Sequence, residues 1–79
     1  MNVMEVSEEA VRVKLRTENQ EFQQLEQEHR KLDSELMSFE THVYLSPEEE
    51  IERRRLQKLK LAAKDRIMEM IRRFKTGNA

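Results

Sequence analysis

The chain has no cysteine and no tryptophan, and only one glycine and one proline in 79 residues. Without cysteine there is no disulfide framework and no cysteine-based zinc site. No apolar run approaches the roughly 20 residues that a bilayer-crossing helix needs. The start, Met1-Asn2-Val3-Met4-Glu5, lacks the basic region and apolar stretch of a signal peptide, so the expected location is cytoplasmic. Apolar residues are also scarce: 37%, against roughly 45–50% in ordinary globular domains. Charged residues fill the gap at 39%. A chain this short and this charged, rich in Glu, Lys, Arg, Leu and Gln, reads as long surface-exposed helices or a coiled coil. It has room for one small domain, whose single core rarely yields more than about 3–5 kcal/mol. Self-association or a protein partner is therefore expected.

The clearest local signal is Tyr44-Leu45-Ser46-Pro47-Glu48-Glu49-Glu50. Ser46 suits a helix N-cap and Pro47 the first helical position, where its missing N–H costs nothing. Glu49 completes a Ser-x-x-Glu capping box, and the run of glutamates suits the positive end of the helix dipole. Pro47 also disfavours helix at Ser46, so any preceding helix ends by about there. These three residues mark the structural turn, at 44–46, between helices expected over 20–43 and 47–75, with a tail over 76–79.

In the first of these helices Phe22, Leu25, His29, Leu32, Leu36, Phe39 and Val43 alternate spacings of three and four, a coiled-coil seam. Extrapolated backward, the seam passes through Glu18 to Leu15 and Val11. Tyr44 and Leu45 are expected to fold over the end of the hairpin. The second helix carries Leu56, Leu59, Ala63, Ile67, Met70, Ile71 and Phe74, with Arg72, Arg73 and Lys75 in its last turn and Gly77 after it. Its glutamates and arginines fall at the favoured four-residue spacing, Glu49 with Arg53 and Glu50 with Arg54.

Residues 1–18 give two signals. Ser7-Glu8-Glu9 caps a helix with Val11 and Leu15 on one face, yet Val11 to Thr17 alternates with period two, as a strand does. A lone strand has nothing to pair with in this chain, so helix is the reading. Thr17 with Gln20, or Asn19 by itself, offers a second helix start, which predicts a break there. Folding about residue 45 leaves residues 1–14 overhanging the second helix, to fray, fold back or dock on another subunit. The fold class is thus all-α: an antiparallel, coiled-coil-like two-helix hairpin with a short, separately capped N-terminal helix.

Charge is unevenly divided. Residues 1–51 hold 13 acidic and 5 basic side chains, residues 52–79 hold 3 and 10, so −8 faces +7 within a net charge of −1. In a hairpin the basic helix has its counter-charge beside it, which weighs against a nucleic-acid partner. Its basic residues also spread round the helix, because neighbours point about 100° apart. The aromatics lie mostly near the seam rather than free to stack on bases.

Chemistry has little to work with. His29 lies on the seam near Asp33, Glu26 and Glu28, but a two-helix hairpin offers a general base no deep pocket. It reads as a packing residue, its ring hydrogen-bonded to a carboxylate or a carbonyl across the seam. His42, near the turn, is too far along the chain to share a metal with it. The glutamates and aspartates read as solvated faces. No phosphate loop, nucleophile elbow or metal-ligand cluster is present, so no catalytic residue, no metal and no cofactor is expected.

Phe22-Gln23-Gln24-Leu25, Glu28-His29-Arg30-Lys31-Leu32-Asp33, the turn segment 44–50, and Leu56-Gln57-Lys58-Leu59-Lys60-Leu61-Ala62-Ala63-Lys64-Asp65-Arg66-Ile67 resemble the small bacterial YdcH-type domain of unknown function. The resemblance covers about residues 15–74. It implies a helical hairpin or short coiled coil in a bacterial cytoplasm, and carries no activity and no catalytic residues.

The functional expectation is a non-catalytic interaction module that self-associates or docks a helical partner. The competing reading is a nucleic-acid-associated accessory protein using the basic second helix. The candidate interface is Leu61 with Met68: the two lie seven residues apart, on a common helix face more than 90° from the main stripe. The alternative covering for that face is the N-terminal segment, folded back.

Overall fold

The computed structural model describes residues 7–77. Three helices form: α1 (Glu8–Glu18), α2 (Gln20–Phe39) and α3 (Pro47–Lys75). No strand occurs among the described residues. Helices α2 and α3 make the hairpin, and its register follows the fold about residue 45. Asp33 pairs with Lys60, and Glu21 with Arg66 at 3.3 Å. The long dimension, 51 Å, is little more than the length of α3, about 43 Å at 1.5 Å per residue.

Each start has a named cap. Ser7 Oγ accepts from the Ala10 N–H, Asn19 Oδ1 from the Phe22 N–H, and Ser46 Oγ from the Glu49 N–H. At Ser46 the box is complete, because the Glu49 carboxylate accepts in return from the Ser46 N–H at 2.8 Å. The Ser46 backbone N–H, and after it the Ser46 hydroxyl, hold the Glu49 carboxyl below the usual carboxylate range. Helix α3 closes on Gly77, whose φ of +82° lets its N–H reach the Phe74 carbonyl.

The end of α2 departs from expectation. It stops at Phe39 rather than at residue 43, so the turn spans 40–46. The Ser38 hydroxyl donates back to the Glu35 carbonyl, and the Thr41 hydroxyl to that of Ser38. Such bonds compete with the helical ladder. Val43 and Tyr44 are consequently not folded over the hairpin end: each is 89% exposed. Leu45 alone of this group is half-buried.

At the other end, α1 resolves the period-two ambiguity as a helix. Val11 and Leu15, one turn apart, are buried, while Val13 between them faces outward. Of the three alternatives for the overhanging segment, folding back is the one taken, and the break falls on Asn19, which is extended at φ −128° and ψ 112°. Val11 and Leu15 join Phe22, Ile67, Met70 and Ile71 in the core cluster, with Leu25 and Phe74 packed against it. Val11 and Phe22 lose essentially all contact with solvent. The base of the hairpin is thus three helices thick and its turn end only two. Residues 1–6 and 78–79, which include the start read for a signal peptide and the end of the expected tail, lie outside the described residues.

Candidate functional site

Leu61 and Met68, the expected interface pair, sit on the outer side of α3, 59% and 40% exposed. They line different grooves. Leu61 borders an open cleft with Leu36 and Met37 of α2, rimmed by Asp33 and Glu40 and by Arg53, Lys60 and Lys64. Met37 itself is 58% exposed. Met68 lies toward α1, in a groove with Glu8, Ile71 and Arg72. The Arg12 Nη2 of α1 reaches its sulfur at 3.8 Å. The fold-back therefore shields Met68 in part and leaves Leu61 open.

The sequence reading missed Met37 as the neighbour of Leu61. Met37 lies just beside the seam, and only the pairing of α2 with α3 brings the two together. A second exposed group was also missed, at the turn: Val43, Tyr44 and Ile51, the last 69% exposed.

The least expected residue is Glu26. Read as part of a solvated face, it is 9% exposed, the one buried charged residue among those described. Arg16 Nε and Nη2 grip its two oxygens at 2.6 and 3.1 Å, and Arg12 Nη1 adds a contact at 3.5 Å. The bidentate bond from Arg16 holds the Glu26 carboxyl below its ordinary range, against the opposing effect of burial. The same bond raises Arg16. The pair is a clasp between α1 and α2. The sequence signal for it was slight: arginines at positions 12 and 16, flanking the Val11–Leu15 stripe.

His29 differs from expectation too. It is half-buried on the seam, but among the described residues its Nε2 is buried with no hydrogen-bond partner. Neighbouring Asp33 is instead engaged by Lys60, and that bond, with a smaller contribution from His29, lowers its carboxyl. Among the described residues no three His, Asp or Glu side chains are placed to hold a metal ion.

On α3 four of the six arginines, Arg53, Arg55, Arg66 and Arg73, are turned toward carboxylates. Arg53 bonds Glu50 and Arg55 bonds Glu52 at three-residue spacing, in place of the expected four-residue pairs. Glu49 is taken by the cap instead. Arg66 bridges Glu69 and Glu21. No helix among the described residues is long and apolar enough to cross a membrane.

Comparison with known proteins adds no activity. No curated protein and no solved structure gives a significant match. A family model matches residues 22–71, from the core phenylalanine of α2 through the capped turn to Ile71 of α3. That match leaves α1 outside, and it spans well over half of the chain. The chain belongs to the DUF465 family, proteins of unknown function.

Proposed function

We propose that this protein is a non-catalytic interaction module, which self-associates or docks a helical protein partner through the Leu61 face of the hairpin. One observation carries the reading. Leu61, with Leu36 and Met37, lines a cleft of about 390 Å³ that is open to solvent and bordered by charges of both signs. An enclosed small-molecule site buries most of its ligand. A shallow apolar strip with a mixed-charge rim instead suits the side chains of another helix, apolar in the middle and ionic at the edges. The marginal size of the hairpin core adds to the case.

The basic residues of α3 favour a protein partner over nucleic acid. Phosphate binding needs cations free to face a backbone, and five of the ten on α3, Arg53, Arg55, Lys60, Arg66 and Arg73, are already paired with a carboxylate. The test is light scattering over a wide concentration range on the parent, Leu61→Lys and Met68→Lys. A concentration-dependent oligomer that Leu61→Lys abolishes is the expected result, with a smaller effect at the partly shielded Met68. A parent that stays monomeric and binds no helical partner, or an oligomer indifferent to both substitutions, removes this surface from consideration.

A further inference from the structure

Helix α1 reaches the rest of the molecule through one non-helical residue. Asn19 is held extended by its own cap bond to the Phe22 N–H, and Gln23 Nε2 ties the Arg16 carbonyl across the bend. Beyond these, α1 is kept in place by Val11 and Leu15 in the core cluster and by the clasp of Arg12 and Arg16 on Glu26.

The heptad spacing nevertheless runs straight through the bend. Val11, Leu15, Glu18, Phe22 and Leu25 keep alternating steps of four and three. One helical residue at position 19 makes a single helix from residue 8 to residue 39, with Val11 and Leu15 on the same stripe as Phe22. Helix α3 ends at Lys75. In a register midway between those of the Asp33–Lys60 and Glu21–Arg66 pairs, residues 8–14 of the straightened α1, Val11 among them, then project past that end and Leu15 lies level with it. Each molecule is left with a Val11 segment that has no groove and a groove that has lost its helix. The groove is Phe22, Ile67, Met70 and Ile71, with Glu26 beside it stripped of its arginines.

We propose that two copies of this chain exchange α1. Each lays Val11 and Leu15 into the other's groove and sets Arg12 and Arg16 on the other's Glu26. The contacts are those already made within one chain, so monomer and dimer differ only at the hinge, the condition under which swapping is cheap. The charge pattern selects the occupant: an apolar pair one turn apart, with an arginine following each, against one buried carboxylate. The exchange is reciprocal, so it closes on two copies and does not grow into a filament. It uses a different face from Leu61 and does not depend on the function proposed for that face.

The two are separated by working in a Leu61→Lys background. There, Asn19→Ala removes the cap oxygen and favours helix at the hinge. The expected result by light scattering is a dimer whose dissociation constant falls at least about tenfold relative to the Asn19 parent. Two further chains, one Arg12→Cys and one Met68→Cys, are made with Asn19→Ala and given different lengths by a tag. With no native cysteine, these are the only thiols. Treated with a short bismaleimide, the mixture is expected to yield a product joining one chain of each length, because these two side chains touch when α1 is docked. Adding Leu15→Lys is expected to abolish both the dimer and the mixed product, while circular dichroism still shows the helix content of α2 and α3 with a cooperative melt. An Asn19→Ala chain that remains monomeric overturns the proposal. So do a dimer without the mixed product and a dimer that survives Leu15→Lys.

Discussion

At the scale of single residues, most of the many carboxylates do what the sequence implies and face water. Glu26 does not, and the reason lies in what packs over it. A carboxylate at 9% exposure is stable only with charge-assisted partners, and both partners come from α1. Its arginines keep one side toward solvent, so losing the pair costs less than the 3–5 kcal/mol of a fully buried one; Glu26→Gln is expected to destabilise by about 1–2 kcal/mol at neutral pH. The sign with pH follows from the direction of the shift. The folded carboxyl lies below its ordinary value of 4.5, so its contribution is present above that value and is lost as pH falls through the lower, folded one. Denaturant unfolding of the parent and Glu26→Gln from neutral pH to pH ~3 should show a gap that closes on acidification. A gap independent of pH would mean that Glu26 acts by packing alone. His29 shows the opposite outcome at the same scale: placed correctly on the seam, it has an Nε2 that is buried without the expected partner. Spacing fixes which face a side chain occupies and says nothing about what its polar atom meets across the interface.

Among the elements, those with local causes were legible. The capping box at Ser46 depends on four consecutive residues, and the bonds form as their order dictates. Ser46→Ala removes the acceptor for the Glu49 N–H and is expected to lower stability by about 1 kcal/mol, read as a drop in melting temperature. An unchanged melt would show that α3 begins without this cap. The end of α2 was less legible because no single residue enforces it. The seam spacing runs on to Val43, but helix termination at Phe39 follows from the hydroxyls of Ser38 and Thr41 and from a last turn without cations. The alternation from Val11 to Thr17 misleads for a related reason. In so short a segment the buried pair Val11–Leu15 satisfies a helical spacing, and the period-two pattern only adds Val13, which faces out.

On the scale of the whole molecule, the −8 and +7 halves lie against each other. Among the described residues, ion pairs between elements join them or bind α1 to the hairpin: Lys60 to Asp33, Arg66 to Glu21, and Arg16 with Arg12 to Glu26. All but the last are largely solvent-exposed, and exposed pairs are screened within about a Debye length, roughly 10 Å at 0.1 M salt. The melting temperature is therefore expected to fall modestly between low salt and roughly 0.5 M sodium chloride. A rise would mean that like-charge repulsion outweighs these pairs.

By itself the sequence determined the helical class, the caps at Ser7 and Ser46, and a break that it left open between Thr17 and Asn19. It also determined the register in which α3 lies on α2. Each of these is set by neighbours in the chain or by a stripe repeated over many turns. The tertiary structure alone decided where α1 goes, that Glu26 is buried beneath it, and that Met37 rather than Met68 borders the cleft beside Leu61. Those outcomes hang on one pair of backbone angles at Asn19 and on contacts between residues ten to more than fifty positions apart. No local spacing encodes such contacts, because a single extended residue redirects an entire helix without changing the pattern on either side of it.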